Sequence, residues 1–222
     1  MFPKLLSNDK ILNILDYKIN EVKGYQSDVY FYKISQKHIE LIKNELDIFI
    51  DTDIIVKKQY KYAAGIPTIK MGGKLGQYNR EKDALLKLQN DFHFPTILYA
   101  DDESTTIYMT YCGNTIKQKD IPSNWKEQLR EILSTLQKYK IYNNDAFLQN
   151  FVIKDHIIYL IDFGWASFNN EDFPYINITE NDLLEYNDLL KLSRVVFERV
   201  KKRNLLFEDK CKKMKGLIYT PP

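Results

Sequence analysis

The chain has 222 residues, 44% of them hydrophobic and 28% charged, enough to bury a core without staples and too apolar for a wholly disordered polymer. Lys and Arg number 32 against 30 Asp and Glu, a net charge of +2, which excludes the positive surplus that would argue for DNA or an anionic membrane as an obligate partner. No apolar run approaches the ~20 residues of a membrane span, and Pro3, Asn8 and Asp9 interrupt the stretch where a secretion signal needs continuous apolar residues.

Residues 28–34 and 53–60 are rich in β-branched and aromatic side chains and read as strands, as do 96–99 and 105–111. Between the first two, 38–42 has some helical spacing while 47–51 alternates like a strand, so the first half of that interval stays unassigned. Half of the eight glycines, Gly65, Gly72, Gly73 and Gly76, fall in one stretch that reads as a mobile loop. A helix over 80–88 follows, with Glu81, Ala84, Leu85 and Leu88 along one stripe.

Beyond Gly113 the period becomes helical. Trp125, Leu129, Ile132, Leu133, Leu136 and Tyr139 recur at three- and four-residue steps, and Glu127 is placed for a capping box on Asn124. A short hairpin over 151–161 turns at 154–156. Thr179 with Asp182 opens a last helical region, in which Leu189, Leu192, Val196 and Val200 form an apolar stripe. A strand-rich half followed by a helix-rich half is an α+β order.

Cys112 and Cys211 lie far apart, and His38, His93 and His156 stand at no ligand spacing from one another or from a cysteine. A disulfide framework and a zinc site are therefore unsupported, a reducing, cytoplasm-like compartment is the default, and any metal should sit on carboxylates and amides.

The chemistry concentrates in two stretches. Asp145 precedes Asn150 by five positions, and Asp162, in Asp162-Phe163-Gly164, follows Asn150 by twelve, with the hairpin between. A loop with that Asp and Asn can aim a carboxylate at a hydroxyl nucleophile and an amide oxygen at a metal, while the hairpin returns a second carboxylate to the same metal. In residue type and spacing these positions resemble the protein kinase-like superfamily, whose catalytic loop reads H-R-D-x-x-x-x-N and whose metal loop reads D-F-G. The resemblance covers roughly residues 20–203. It implies Asp145 as catalytic base and Asn150 and Asp162 as magnesium ligands. Ile54-Ile55-Val56-Lys57 is similar to the strand whose lysine steadies the ATP phosphates; Glu81 stands where the family keeps that lysine's partner. Lys57 is preferred to Lys58 because the family commonly follows its lysine with a second basic residue. Met109, Tyr111 and Cys112 fall on the segment that in the family joins two lobes and holds the adenine edge. Aligning Val29 with the valine of the glycine-rich loop leaves Gly24 as the one surviving glycine, with Ser27 and Val22 at the flanking glycine positions.

Several positions depart from the family pattern. Asn143 and Asn144 replace the His and Arg before the catalytic aspartate, Phe147 replaces a lysine usual in serine/threonine protein kinases, and only 58 residues follow Gly164. Such a shortened carboxyl-terminal lobe resembles that of small atypical kinases of the RIO type and of the kinase subunit of the KEOPS transfer-RNA modification complex. Asp188 is similar to the helix-borne aspartate that anchors the family's catalytic loop. The resemblance implies one bilobal kinase-like domain over 1–222, with an amino-terminal lobe about 12–109, a hinge at 110–113 and a carboxyl-terminal lobe over 114–222. It implies an ATP- and Mg2+-dependent phosphotransferase, with a protein serine/threonine hydroxyl as the favoured acceptor. A small-molecule kinase of the aminoglycoside or choline type and a pseudokinase scaffold are the alternatives. The basic residues Lys201, Lys202, Arg203, Lys210, Lys212, Lys213 and Lys215 read as a solvated helix end and tail, with RNA or phosphate contact the minority reading.

Overall fold

The computed structural model describes residues 4–48, 50–62, 72–89, 91–146, 148–168 and 178–218, with side chains up to 202 and at 205. The chain is mixed α+β. Helix α1 (Asn8–Ile14) leads into the hairpin of β1 (Tyr17–Lys23) and β2 (Ser27–Lys33). The hairpin turn needs glycine: a Cβ on Gly24 would lie 2.6 Å from the Ser27 carbonyl oxygen, to which the Gly24 N–H donates at 3.0 Å.

Helix α2 (Gln36–Leu46) fills the interval left unassigned above. Ser35 accepts from the His38 N–H at its start, Asp47 takes the left-handed conformation (φ 53°) at its end, and Ile39, Ile42 and Leu46 are buried along one face. The strand expected over 47–51 does not form among the described residues, because Asp47 turns the chain out of the helix instead. Strand β3 (Ile54–Tyr60) follows, then α3 (Gly73–Leu88), β4 (Ile97–Asp101) and β5 (Thr106–Thr110).

The glycine-dense stretch corrects a second expectation. Gly72 (φ 81°) caps α3, and Gly73 and Gly76 lie inside the helix, not in a loop; Gly65 lies outside the described residues. The penalty for helical glycine is about 1 kcal/mol per residue. Burial of Tyr78, Glu81, Ala84, Leu85 and Leu88 on the sheet-facing side offsets it.

The five strands form one antiparallel sheet in the order β1-β2-β3-β5-β4. Both faces are covered at β3, β4 and β5, whereas β1 is exposed along its length. Ile55, Leu98 and Tyr108 face a small core with Ile11 and Ile14 of α1 and Ile39, Ile42 and Leu46 of α2. Tyr60, Ile97, Ile107 and Met109 face a larger core that runs through α3 into the second half of the chain.

That second half contains β6 (Asn114–Thr115), α4 (Trp125–Lys138), β7 (Ile141–Tyr142), the hairpin of β8 (Phe151–Lys154) and β9 (Ile157–Leu160), β10 (Ser167–Phe168), α5 (Glu180–Glu185) and α6 (Leu189–Ile218). Strand β6 pairs with β8, and β10 with β7. Gly113 makes the crossing from sheet to helices possible: its φ is 114°, and a Cβ there would meet the Ile153 carbonyl oxygen at 2.1 Å.

Helix α4 buries Trp125, Leu129, Ile132 and Leu136, but Asn124 makes no side-chain cap; its Oδ1 accepts from Gln128 Nε2 instead. The Thr179–Asp182 capping box forms on α5. Leu189, Leu192, Val196 and Val200 are all buried on α6. Asp188 caps α6, accepting from the Leu190 and Lys191 N–H groups, and Ser193 rather than Asp188 holds the loop before Asn150, its Oγ accepting from the Leu148 N–H at 2.6 Å. No helix among the described residues is long and apolar enough to cross a membrane.

Candidate functional site

Hairpin register brings the Asn150 backbone alongside the residue before Asp162. Phe151 pairs with Leu160, so the Ile161 N–H reaches back to the Asn150 carbonyl at 2.9 Å, and Asp162 begins the next residue. Asp162 takes a left-handed backbone (φ 63°), a conformation tolerated by Asp, and its Oδ1 accepts from the Gly164 N–H at 3.3 Å. Phe163 is fully buried edge-on against Phe94, which fixes the loop from below.

Asp145 is held by two amides. Asn150 Nδ2 donates to its carbonyl oxygen at 2.8 Å and to Oδ2 at 3.1 Å. Asn143 Oδ1 accepts from the Asp145 N–H, and Asn143 Nδ2 donates to the Asp162 carbonyl, both at 3.0 Å. One buried amide thus ties the two acidic segments. Asn144, also buried and left-handed (φ 63°), donates to the Trp165 carbonyl and to Ser167 Oγ. Arg80 of α3 donates to the Ala166 carbonyl, so the segment after Gly164 is pinned from both halves of the chain. Phe147 lies outside the described residues.

The sheet delivers the cation. Lys58 Nζ lies 2.6 Å from Glu81 Oε2 and 2.9 Å from Asp162 Oδ1. Lys57, the lysine expected here, points the other way, its Nζ 5.6 and 5.8 Å from the ring centroids of Tyr30 and Tyr108. Strand alternation explains the correction: Val56, Lys58 and Tyr60 share the face toward α3, whereas Ile55 and Lys57 share the face toward α1 and α2. Both faces of β3 carry core residues, Ile55 on one and Val56 and Tyr60 on the other, so alternation alone has no way to choose.

The Lys58 side chain is 8% exposed and that of Glu81 2%, while that of Asp162 is 39% exposed. Burial alone would lower the Lys58 pKa; the carboxylates of Asp162 and Glu81 outweigh it and hold the ammonium above its ordinary value. Burial pushes Glu81 up, opposed by Lys58. For Asp162, burial is outweighed by Lys58, and its carboxyl stays below the usual range. One ammonium against two carboxylates leaves the cluster a negative charge in excess.

Above this cluster lies a cleft of about 500 Å³ between the sheet and the β8–β9 hairpin. Of the residues expected around a nucleotide, Ser27, Val29, Glu81, Met109, Tyr111 and Cys112 line it, as do Lys58 and Asp162; Gly24 stands beyond it in the hairpin turn, and Lys57 faces away. Its walls are mainly apolar, with Val22, Val56, Val152 and Ile161 among them. Cys112 is buried against the Thr110 carbonyl, and burial pushes its thiol up to about 12. Trp165 Nε1 donates to Gln26 Oε1 at 3.2 Å, joining the β1–β2 turn to the residue after Gly164.

Sequence reading missed Tyr60, whose hydroxyl donates to Glu81 Oε2, and the bridging part of Asn143. Tyr60 had a signal, since it shares strand parity with Lys58; Asn143 had none, because its partner lies 19 positions away. No cluster of three or more His, Cys, Asp or Glu suited to a metal occurs among the described residues. No family model matches the chain, and no curated protein matches it.

Proposed function

We propose that the chain is a phosphotransferase with a bilobal, protein kinase-like architecture, which moves the γ-phosphoryl of ATP to a hydroxyl acceptor with Mg2+. The observation that carries this reading is the Lys58–Glu81–Asp162 cluster at the base of a cleft, with Asp145 and Asn150 wired beside it. Residues 110–113, the hinge on this reading, line the cleft, and its apolar walls suit a flat nucleobase.

The donor set fits magnesium. Asn150 spends its amide nitrogen on Asp145, which leaves Oδ1 as an acceptor, and Asp162 offers a depressed, part-exposed carboxylate. Two hard oxygen ligands suit a cation that arrives with a polyphosphate and keeps its remaining positions for phosphate and water. Asn150 Oδ1 and the Asp162 carboxylate would hold Mg2+, whose bound charge would offset the negative charge that develops on transfer. Lys58 steadies the phosphates and is itself steadied by Glu81. Asp145 accepts the proton of the attacking hydroxyl. Asn143, Asn144 and Arg80 hold the site assembled without a phosphorylated loop, in keeping with the Asn143-Asn144 pair replacing His and Arg.

A protein serine or threonine hydroxyl is the acceptor class favoured here, in a reducing compartment that leaves Cys112 a free thiol. Incubation with labelled ATP, Mg2+ and a generic protein acceptor tests the reading, alongside the Asp162→Ala variant. Transfer that depends on Asp162 supports it. Absence of both transfer and any thermal shift with ATP and Mg2+ would make the protein a scaffold instead.

A further inference from the structure

We infer that Tyr60 is a positioning residue that aims the phosphate-holding lysine through Glu81; this rests on the phosphotransferase reading above. Tyr60 follows Lys58 by two positions on β3 and therefore shares its face of the sheet. Its hydroxyl donates to Glu81 Oε2, the same oxygen that takes the Lys58 ammonium at 2.6 Å. Lys58 Nζ also reaches Asp162 Oδ1 at 2.9 Å, so the glutamate is linked to β3 directly and to the metal loop through the lysine.

Tyr60 is 3% exposed and packs edge-on against Tyr78, ring centroids 6.2 Å apart. The Lys58 ammonium lies 5.1 Å from the Tyr60 ring centroid, a cation–π approach that supports it from a second side. At Gly164 a Cβ would stand 3.2 Å from the Tyr60 hydroxyl oxygen, so the tyrosine also abuts the end of the metal loop.

Lys58 has two carboxylates to choose from. Glu81 holds it where it can meet phosphate, whereas Asp162 is the oxygen that a metal needs. By fixing Glu81, Tyr60 keeps the glutamate the shorter of the lysine's two contacts, 2.6 Å against 2.9 Å to Asp162. Without the hydroxyl, Glu81 retains a single side-chain donor, and Lys58 leans toward Asp162 and competes with the cation.

The test is binding of a fluorescent ATP analogue to wild type, Tyr60→Phe, Glu81→Ala and the double variant, titrated with Mg2+, with thermal melts of each and steady-state kinetics for the first two. Tyr60→Phe should weaken binding about tenfold, the scale of one hydrogen bond to a charged group. The Mg2+ needed for half-maximal binding should rise with it, and KM for ATP should rise while kcat stays within about twofold. Adding Tyr60→Phe to Glu81→Ala should cost nothing further. Wild-type behaviour of Tyr60→Phe, an equal loss in both backgrounds, or a Tyr60→Phe protein that fails to fold would each overturn the positioning role alone. A wild-type protein that binds no ATP with Mg2+ would overturn the phosphotransferase reading and this inference together.

Discussion

Lys58 and Asp162 are 104 positions apart in the chain and 2.9 Å apart in space. That contact joins the five-stranded sheet to the loop after β9. Lys58 already carries Glu81, so the sheet, α3 and the hairpin half meet at one ammonium. Loss of this side chain therefore reaches beyond one ion pair.

Replacing Lys58 by Met should lower stability by about 3–5 kcal/mol, because Glu81 is left buried without its cation. Lys57→Met, which loses only a half-exposed side chain beside Tyr30 and Tyr108, should stay within about 0.5 kcal/mol. Urea unfolding of the two variants separates the lysines, and nucleotide binding should follow the same order.

On the phosphotransferase reading, Asp145→Ala should reduce turnover by about 10²-fold or more while it spares ATP affinity, the pattern expected when a general base is removed. Single-turnover transfer and equilibrium binding, measured on the same sample, check this. Unchanged turnover would remove Asp145 from the chemistry.

Asp182 provides a pH test away from the cleft. Burial would raise its pKa, but a two-point pairing with Arg199 and hydrogen bonds from Thr179 outweigh it and hold the carboxyl below its ordinary value. A depressed folded-state pKa gives stability that is present above the unfolded value, about 3.9, and lost as pH falls through the folded value. Urea midpoints should therefore drop below about pH 4 in wild type, and Arg199→Met should flatten that limb.

Gly113→Ala should destabilise by about 2 kcal/mol or more, since it combines strain at φ 114° with a Cβ driven into the Ile153 carbonyl. Calorimetry measures the loss. A neutral substitution would show that the crossing can relax.

Cys112 is 6% exposed, with its thiol pushed up to about 12. In a Cys211→Ser background, a thiol reagent at pH 8 should react with Cys112 many-fold more slowly than with a free thiol. ATP with Mg2+ should slow it again, because Cys112 lines the cleft.

The approach of the Asn150 backbone to the residue before Asp162 is legible in sequence because a hairpin's register is a local property, and twelve positions with a two-residue turn allow one pairing. The Thr179 box and the Leu189–Val200 stripe are local in the same sense. What escaped was decided by distant partners. Helix α2 needs the outer face of the sheet to bury Ile39 and Ile42, and that face is unseen in its own eleven residues. Helix α3 starts on glycines that local chemistry assigns to a loop. Lys57 and Lys58 differ only in which neighbour their strand face meets. Asp188 sits at the right kind of position for a loop anchor, yet it spends its carboxylate on its own helix, and Ser193 does the anchoring.

The sheet is a common wall between two unequal cores, with Ile55, Leu98 and Tyr108 on one side and Tyr60, Ile107 and Met109 on the other. The smaller core contains neither the cleft nor its charges. Partial opening of α1 and α2 would expose the back of that wall and leave the lysine–carboxylate cluster covered. Amide protons on those two helices should then exchange with solvent through a subglobal event, independently of nucleotide, while those of α3 and β3 exchange only when the whole molecule unfolds.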